Sequence, residues 1–90
     1  MISRAHIVVE GLVQGVGFRW FASHKAMQLG LAGHVRNLAD GNVEVEAEWD
    51  RSLVEELIAA LKVGPRSAHV RNLRIMWVEP RHESNHFSIR

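Results

Sequence analysis

The feature that most constrains the fold is a strict alternation of apolar and acidic residues that follows an Asp-Gly pair at residues 40–41. Between residues 43 and 49, apolar side chains alternate with Glu44, Glu46 and Glu48. A period of two places successive side chains on opposite faces of a β-strand. We therefore expect one buried face and one solvated glutamate face, and we disfavour a metal-binding row of carboxylates. The Asp-Gly pair predicts a tight hairpin before this strand, because both residues tolerate positive φ.

Other local patterns complete the list of elements. A β-branched run predicts a first strand that is central to its sheet. Gly30 and Gly64 supply helix stops, and Ser52 with Glu55 predicts a capping box for the second helix. The predicted elements are strands at residues 7–13, 33–38, 43–49, 70–78 and 87–89, and helices from about residue 18 to 29 and about residue 52 to 63.

This β-α-β-β-α-β order with an added strand predicts an α+β protein. The economical arrangement is the ferredoxin-like split β-α-β sandwich, with two helices on one face of a four- to five-stranded, mostly antiparallel sheet. The first helix has an apolar stripe that begins at Phe18. Trp20 and Met27 lie off that stripe, and one of them is expected to be exposed near the helix start.

Composition and length exclude several classes of protein. The 90 residues are sufficient for one domain, residues 1–90, and exclude a two-domain enzyme. A net charge of +1 provides no broad field to attract nucleic acid. The absence of cysteine fits a reducing compartment and excludes disulfides, thiolate nucleophiles and cysteine-ligated zinc. With no membrane-spanning apolar run and no signal peptide, we expect a cytoplasmic protein that binds no membrane.

A motif match near the C-terminus is misleading. Residues 82–86 satisfy H-E-x-x-H, in which both histidines and the glutamate must share a helix to bind and use zinc. Pro80 lies just upstream, Ser84 and Asn85 are poor helix formers, and no third ligand follows. The remaining histidines show no compact ligand spacing. We therefore expect a surface loop here, with no metal site and no cofactor.

The loop after the first strand is a credible oxyanion site. Gly15 and Gly17 allow consecutive backbone N–H groups to converge, and the following helix N-terminus adds unpaired donors and a partial positive charge. Arg19 adds a guanidinium that matches two oxygens of a phosphate. An ordinary turn with a solvated arginine is the alternative, and it would be favoured if the G-x-G-x-R pattern stood alone.

The surrounding residues favour the oxyanion site. Residues 11–21 (GLVQGVGFRWF) closely resemble the first signature of acylphosphatases, and residues 33–44 (GHVRNLADGNVE) resemble the second. Both occur in the family's order and separation, and the resemblance covers essentially the whole chain. His34 departs from the family pattern, in which an aromatic residue commonly follows the glycine of the second signature. We expect a structural role for His34 rather than a catalytic one.

The resemblance implies an enzyme that hydrolyses the carboxyl-phosphate bond of acyl phosphates, without a metal cofactor or a phosphoenzyme. It implies that Arg19 and the loop amides bind the phosphoryl group and that Asn37 holds the attacking water. The expected partners are a small-molecule acyl phosphate and orthophosphate, as product and inhibitor, and the expected state is a monomer. The phosphate-binding loop is predicted to comprise Gln14, Gly15, Val16, Gly17, Phe18 and Arg19.

Two other functions remain open from the sequence. One is a non-catalytic anion-binding or regulatory domain of the acylphosphatase type, because such domains also occur inside larger proteins that transfer carbamoyl groups. Turnover of a simple acyl phosphate would distinguish it from the enzyme. A small RNA-binding ferredoxin-like domain is less favoured, because it requires exposed sheet aromatics and a basic face.

Overall fold

The computed structural model describes residues 1–83 and 85–90 of the chain. The predicted order of elements is confirmed, and the first strand begins five residues earlier than expected. The elements are β1 (Ile2–Leu12), α1 (Phe18–Gln28), β2 (Ala32–Asn37), β3 (Val43–Asp50), α2 (Arg51–Val63), β4 (His69–Val78) and β5 (Phe87–Ile89).

The strands form one five-stranded sheet in the order β4-β1-β3-β2-β5. The β1–β3, β1–β4 and β2–β3 pairs are antiparallel, whereas β2 and β5 are parallel. The predicted ferredoxin-like sandwich is therefore confirmed, including the interior position of β1. In the described residues, neither helix has the length and apolar character needed to cross a bilayer.

The hydrophobic core lies between the helices and one face of the sheet. Odd-numbered residues of β1 and β3 point into it, as the period-two pattern requires. The helices contribute an apolar stripe each, and Phe18 at the start of α1 is only 1% exposed. The contributors from the sheet and from α2 include Ile7, Val9, Val43, Val45, Leu57 and Leu61.

The predicted capping box at Ser52 and Glu55 is wrong. Helix α2 begins at Arg51, so Asp50 occupies the N-cap position and Ser52 lies inside the first turn. The Ser52 hydroxyl instead donates a hydrogen bond to the Asp50 carboxylate. The strand therefore runs directly into the helix, with no intervening residue. The predicted stop is confirmed, because α2 ends at Val63 and Gly64 follows with φ 71°.

The prediction of a solvated glutamate face is also wrong. Glu44 and Glu48 are buried, and Glu46 is half-buried, on the sheet face opposite the helices. The cause is a set of cationic or imidazole side chains at register positions on β1 and β2. The residues of this charged face are Arg4, His6, His34, Arg36, Glu44, Glu46 and Glu48.

Ion pairs and hydrogen bonds hold the charged face together. The Arg4 guanidinium lies 2.6 Å from a Glu46 carboxylate oxygen and 3.1 Å from one of Glu48. Glu48 also accepts hydrogen bonds from the backbone N–H groups of Arg81 and His82, at 2.7 and 2.9 Å. The segment after β4 therefore covers this end of the face.

Glu44 is the acceptor at the other end of the charged face. Arg36 donates to it at 2.6 Å, and the imidazoles of His6 and His34 lie 3.0 and 3.1 Å from its oxygens. Burial opposes ionisation of Glu44, but the hydrogen bonds from Arg36, His6 and His34 outweigh it and lower its pKa to about 2. His34, the one departure from the family signature, is thus a buried structural residue, as expected.

Candidate phosphoryl-transfer site

The loop between β1 and α1 needs glycine at two positions for conformational reasons. Gly15 and Gly17 have φ of 73° and 78°, in the left-handed region that L side chains rarely adopt. A Cβ atom built on either residue would meet nothing within 4 Å, so space is not the constraint. Gly17 is the N-cap of α1, and its carbonyl accepts the first helical hydrogen bond from Phe21 at 3.0 Å.

The same loop presents unpaired backbone donors. Within residues 1–83 and 85–90, none of the backbone N–H groups from residue 15 to residue 20 donates to another protein group. Gly15, Gly17 and Arg19 are exposed, whereas Phe18 is buried and fixes the first turn of the helix in the core. A helix N-terminus carries a partial positive charge, so these donors form a site for an anion.

Arg19 adds a full positive charge to the loop. Its side chain is exposed, and in the described part of the chain it makes no ion pair and no hydrogen bond. The guanidinium is therefore available to bind two oxygens of a ligand in the bidentate geometry that suits a phosphate.

Asn37 supplies an unpaired acceptor. It is the last residue of β2, where its register partner is Val43. Its side-chain oxygen Oδ1 is buried and has no hydrogen-bond partner among the described residues. A buried polar atom without a partner costs about 1–3 kcal/mol, so its retention requires an explanation. A water molecule or a substrate group that donates to Oδ1 would satisfy it.

One cleft of about 280 Å³ brings these groups together. It is lined by Val13, Gly15, Gly17, Phe18, Arg19, Trp20, Asn37 and Ile89. Two segments 18 residues apart in sequence thus contribute the predicted pair Arg19 and Asn37 to the same cleft. Gln14 and Val16, which were also predicted to belong to the phosphate-binding loop, do not line it.

The Gln14 side chain makes structural contacts that are separate from the predicted role of the loop amides. Its side-chain amide donates to the carbonyl oxygens of Leu38 and Asn42, at 2.7 and 2.9 Å. These two residues flank the β2–β3 turn, so Gln14 joins the glycine loop to the hairpin that positions Asn37. A single sequence contains no signal for this contact, because glutamine is compatible with any polar loop.

Two exposed apolar residues that line the cleft, Trp20 and Ile89, were given no functional role in the sequence analysis. Trp20 and Met27 are both exposed, at 65% and 62%, where only one was expected to be. Trp20 lines the cleft and stacks on His24, with ring centroids 4.8 Å apart and planes 9° from parallel. Ile89 of β5, which is 47% exposed, also lines the cleft.

A larger cavity, of about 390 Å³, lies on the charged face and includes Arg4, His34 and Glu48. These three side chains already pair within the protein. No group of three or more histidine, aspartate or glutamate side chains in residues 1–83 and 85–90 is placed to hold a metal ion. Of the H-E-x-x-H match at residues 82–86, Ser84 lies outside the described residues, and the rest is not helical.

Comparison with known sequences identifies a consistent set of relatives. A family model described as Acylphosphatase matches residues 5–89. The chain is 50% identical over 82 residues to the acylphosphatase of Koribacter versatilis, and the alignment covers 91% of this chain and 74% of that protein. It is 49% identical over 77 residues to the acylphosphatase of Thermococcus kodakarensis, covering 86% of this chain and 85% of that protein.

Solved structures show the same similarity. The acylphosphatase of Bacillus subtilis superimposes with a TM-score of 0.93 and 35% sequence identity, covering 99% of this chain and 98% of that one. Full-length HypF in a phosphate- and nucleotide-bound form matches with a TM-score of 0.86 and 28% identity. That match covers 99% of this chain but only 12% of HypF.

Proposed function

This chain belongs to the acylphosphatase family and hydrolyses acyl phosphates to a carboxylate and orthophosphate, and we propose that the cleft beside α1 is where it does so. In this proposal Arg19 and the backbone amides from Gln14 to Arg19 bind the phosphoryl group, and Asn37 positions the attacking water. One observation carries the assignment: Asn37, whose buried Oδ1 has no partner among the described residues, lines the same cleft as Arg19, whose guanidinium likewise has none among them.

Phosphoryl binding uses charge and fixed donors together. The amides and the helix N-terminus are already held by the backbone, so they need no reorganisation when the negative charge on the phosphoryl oxygens increases. Arg19 binds two of those oxygens and reduces their repulsion toward an incoming nucleophile. The buried Phe18 side chain fixes the helix start, and Gln14 fixes the loop against the hairpin.

Hydrolysis follows from the position of the water. Asn37 Oδ1 accepts a hydrogen bond from the water, whose oxygen attacks phosphorus while the bond from phosphorus to the acyl oxygen breaks. The carboxylate leaves with the bonding electron pair, and the water proton passes to a phosphoryl oxygen, so the products are a carboxylate and dihydrogen phosphate. A carboxylate is a good leaving group, so positioning and charge stabilisation replace a strong general base.

The proposal extends to the protein's state and surroundings. We propose a monomer that consists of one acylphosphatase domain over residues 1–90 and acts in the cytoplasm, where a cysteine-free small domain is at no disadvantage. Orthophosphate should be a competitive inhibitor, because the site recognises the group that is transferred and then released. No metal or other cofactor is part of the mechanism.

The test is the hydrolysis of a simple acyl phosphate by the purified chain, followed spectrophotometrically with and without a chelator. We expect turnover that survives chelation and is inhibited competitively by orthophosphate. In a phosphate titration, the largest changes in amide chemical shift should fall on residues 14–20. Phosphate binding without turnover would instead indicate a non-catalytic anion-binding domain, and shifts confined to residues 82–86 would contradict the site.

A further inference from the structure

We infer that Trp20 and Ile89 form an acyl-group subsite that selects acyl phosphates with a flat, apolar acyl group, an aromatic one above all. The inference rests on the proposed function and adds a substrate class to it. It starts from the two side chains of the cleft that neither the phosphoryl group nor the water uses and that are nevertheless exposed, Trp20 at 65% and Ile89 at 47%.

Trp20 lies in the same cleft as the proposed phosphoryl-binding residue, Arg19. Trp20 follows Arg19 in the first turn of α1, and both residues line the same cleft. The acyl group of the substrate is attached to that phosphoryl group through one oxygen. When Arg19 holds the phosphoryl group, the acyl group extends into the cleft that Trp20 and Ile89 also line, and these are its exposed apolar side chains.

The indole is held in place before any ligand binds. Trp20 and His24 are separated by one turn of α1, and their rings stack at 4.8 Å with planes 9° apart. Such a stack restricts the rotamers of an exposed tryptophan, so less side-chain entropy is lost when a ligand covers it. A flat ring that lies on an indole face gains both apolar burial and a favourable stacking geometry.

The charge of the lining favours the same class of substrate. Among the described residues that line the cleft, Arg19 is the one cationic side chain, and the phosphoryl group uses it. An acyl group with its own carboxylate or second phosphate would find no further cation there. An aromatic acyl group would cover apolar surface that is otherwise in water.

The experiment compares benzoyl phosphate with acetyl phosphate for the unmodified chain and Trp20→Ala. We expect Trp20→Ala to lower kcat/KM for benzoyl phosphate about tenfold, mainly through KM, which corresponds to about 1.4 kcal/mol. The kcat/KM for acetyl phosphate should change less than twofold. Trp20→Phe should retain most of the preference for benzoyl phosphate over acetyl phosphate. Ile89→Ala should also lower kcat/KM selectively for benzoyl phosphate, but by a smaller factor.

Trp49→Ala is the matched control. Trp49 is also about half exposed, at 49%, but it pairs with Ser3 at the opposite end of β3 from Val43 and Asn37. The Trp49→Ala variant should leave the ratio of kcat/KM for benzoyl phosphate to kcat/KM for acetyl phosphate unchanged. An equal loss for both substrates in Trp20→Ala, or no loss for either, would overturn the subsite while leaving the proposed function intact. Failure of the unmodified chain to hydrolyse acetyl phosphate would overturn both.

Discussion

Two arginines of this small domain differ in burial and in whether their charge is paired within the protein. Arg4, on the charged face, is 6% exposed and pairs with two glutamates. Arg19, at the start of α1, is exposed and, within residues 1–83 and 85–90, pairs with nothing. The arginine side chain thus has a structural role where its charge is neutralised internally, and we propose that it binds the ligand where its charge is not neutralised. The contrast extends to the acceptors, because Glu48 accepts several hydrogen bonds whereas Asn37 Oδ1 has no partner among the described residues.

Arg19→Ala should produce the largest effect. Hydrogen bonds to a charged group contribute about 1.5–3 kcal/mol each, and Arg19 makes two, so kcat/KM should fall about 10²- to 10⁴-fold. Phosphate affinity should fall as well, because the contact exists in the bound ground state. The free energy of unfolding should change by less than about 0.5 kcal/mol, since no partner is left behind. Normal phosphate binding and turnover in the folded variant would remove the basis of the site.

Arg4→Ala should show the reverse pattern. Removal of one partner from a buried ion pair leaves an uncompensated charge and costs about 3–5 kcal/mol of stability. Under conditions where the variant is folded, kcat and KM should stay within about twofold of the unmodified chain. Urea unfolding followed by circular dichroism measures the first quantity, and steady-state kinetics measure the second.

Arg74→Ala is the control for both arginines. Arg74 also forms an ion pair, with Glu10 at 3.1 Å, but its side chain is 61% exposed. An exposed pair contributes about 0–1 kcal/mol, so neither stability nor kinetics should change appreciably. A loss of several kcal/mol in Arg74→Ala would show that burial does not distinguish the two kinds of arginine.

Asn37→Ala should reduce kcat about 10²- to 10³-fold, the scale on which loss of one transition-state hydrogen bond acts. Phosphate affinity should stay within a few-fold, because Asn37 contacts the water and not the phosphate. Stability should not fall, since the removed oxygen has no protein partner among the described residues. Asn72→Ala removes an exposed amide bonded to Glu10 and serves as the control. A near-normal kcat in folded Asn37→Ala would exclude the proposed role.

The smallest effect concerns acid stability. The pKa of Glu44 is lowered from 4.5 to about 2, so its contribution to stability is present above pH 4.5 and is lost as the pH falls toward 2. The loss amounts to about 3 kcal/mol at most. Glu44→Gln should be less stable than the unmodified chain at pH 6, with the difference shrinking between pH 4.5 and 2. Glu55→Gln, which changes an exposed carboxylate, should show no such convergence.

The sequence predicted the fold because its strongest patterns are local. The alternation after the Asp-Gly turn, the glycine stops and the apolar stripe of α2 each define an element without reference to the others. One failure is local, because α2 begins one residue earlier than expected and Ser52 bonds to Asp50. The failure on the sheet involves partners distant in sequence. Burial of Glu44 and Glu48 depends on Arg4, His6 and His34 on neighbouring strands, and alternation within one strand cannot reveal them.

The site divides in the same way. Arg19 and the two glycines form a local pattern, and the family resemblance added Asn37 from a second segment. Their presence in one cleft agrees with that prediction, whereas the roles of the individual residues remain predictions. The bonds from the Gln14 side chain to Leu38 and Asn42 were not predicted, because these acceptors belong to a hairpin more than 20 positions away.

The alternation in β3 also bears on how faithfully the chain folds. In the native pairing, Val43, Val45 and Ala47 face the core while the three glutamates face Arg4 and its neighbours. A slip of one residue against β1 would exchange these sets and drive carboxylates into the core without partners. Each such burial costs on the order of several kcal/mol, so a misregistered sheet is heavily penalised. The buried glutamates thus help to select the native strand register when the sheet forms.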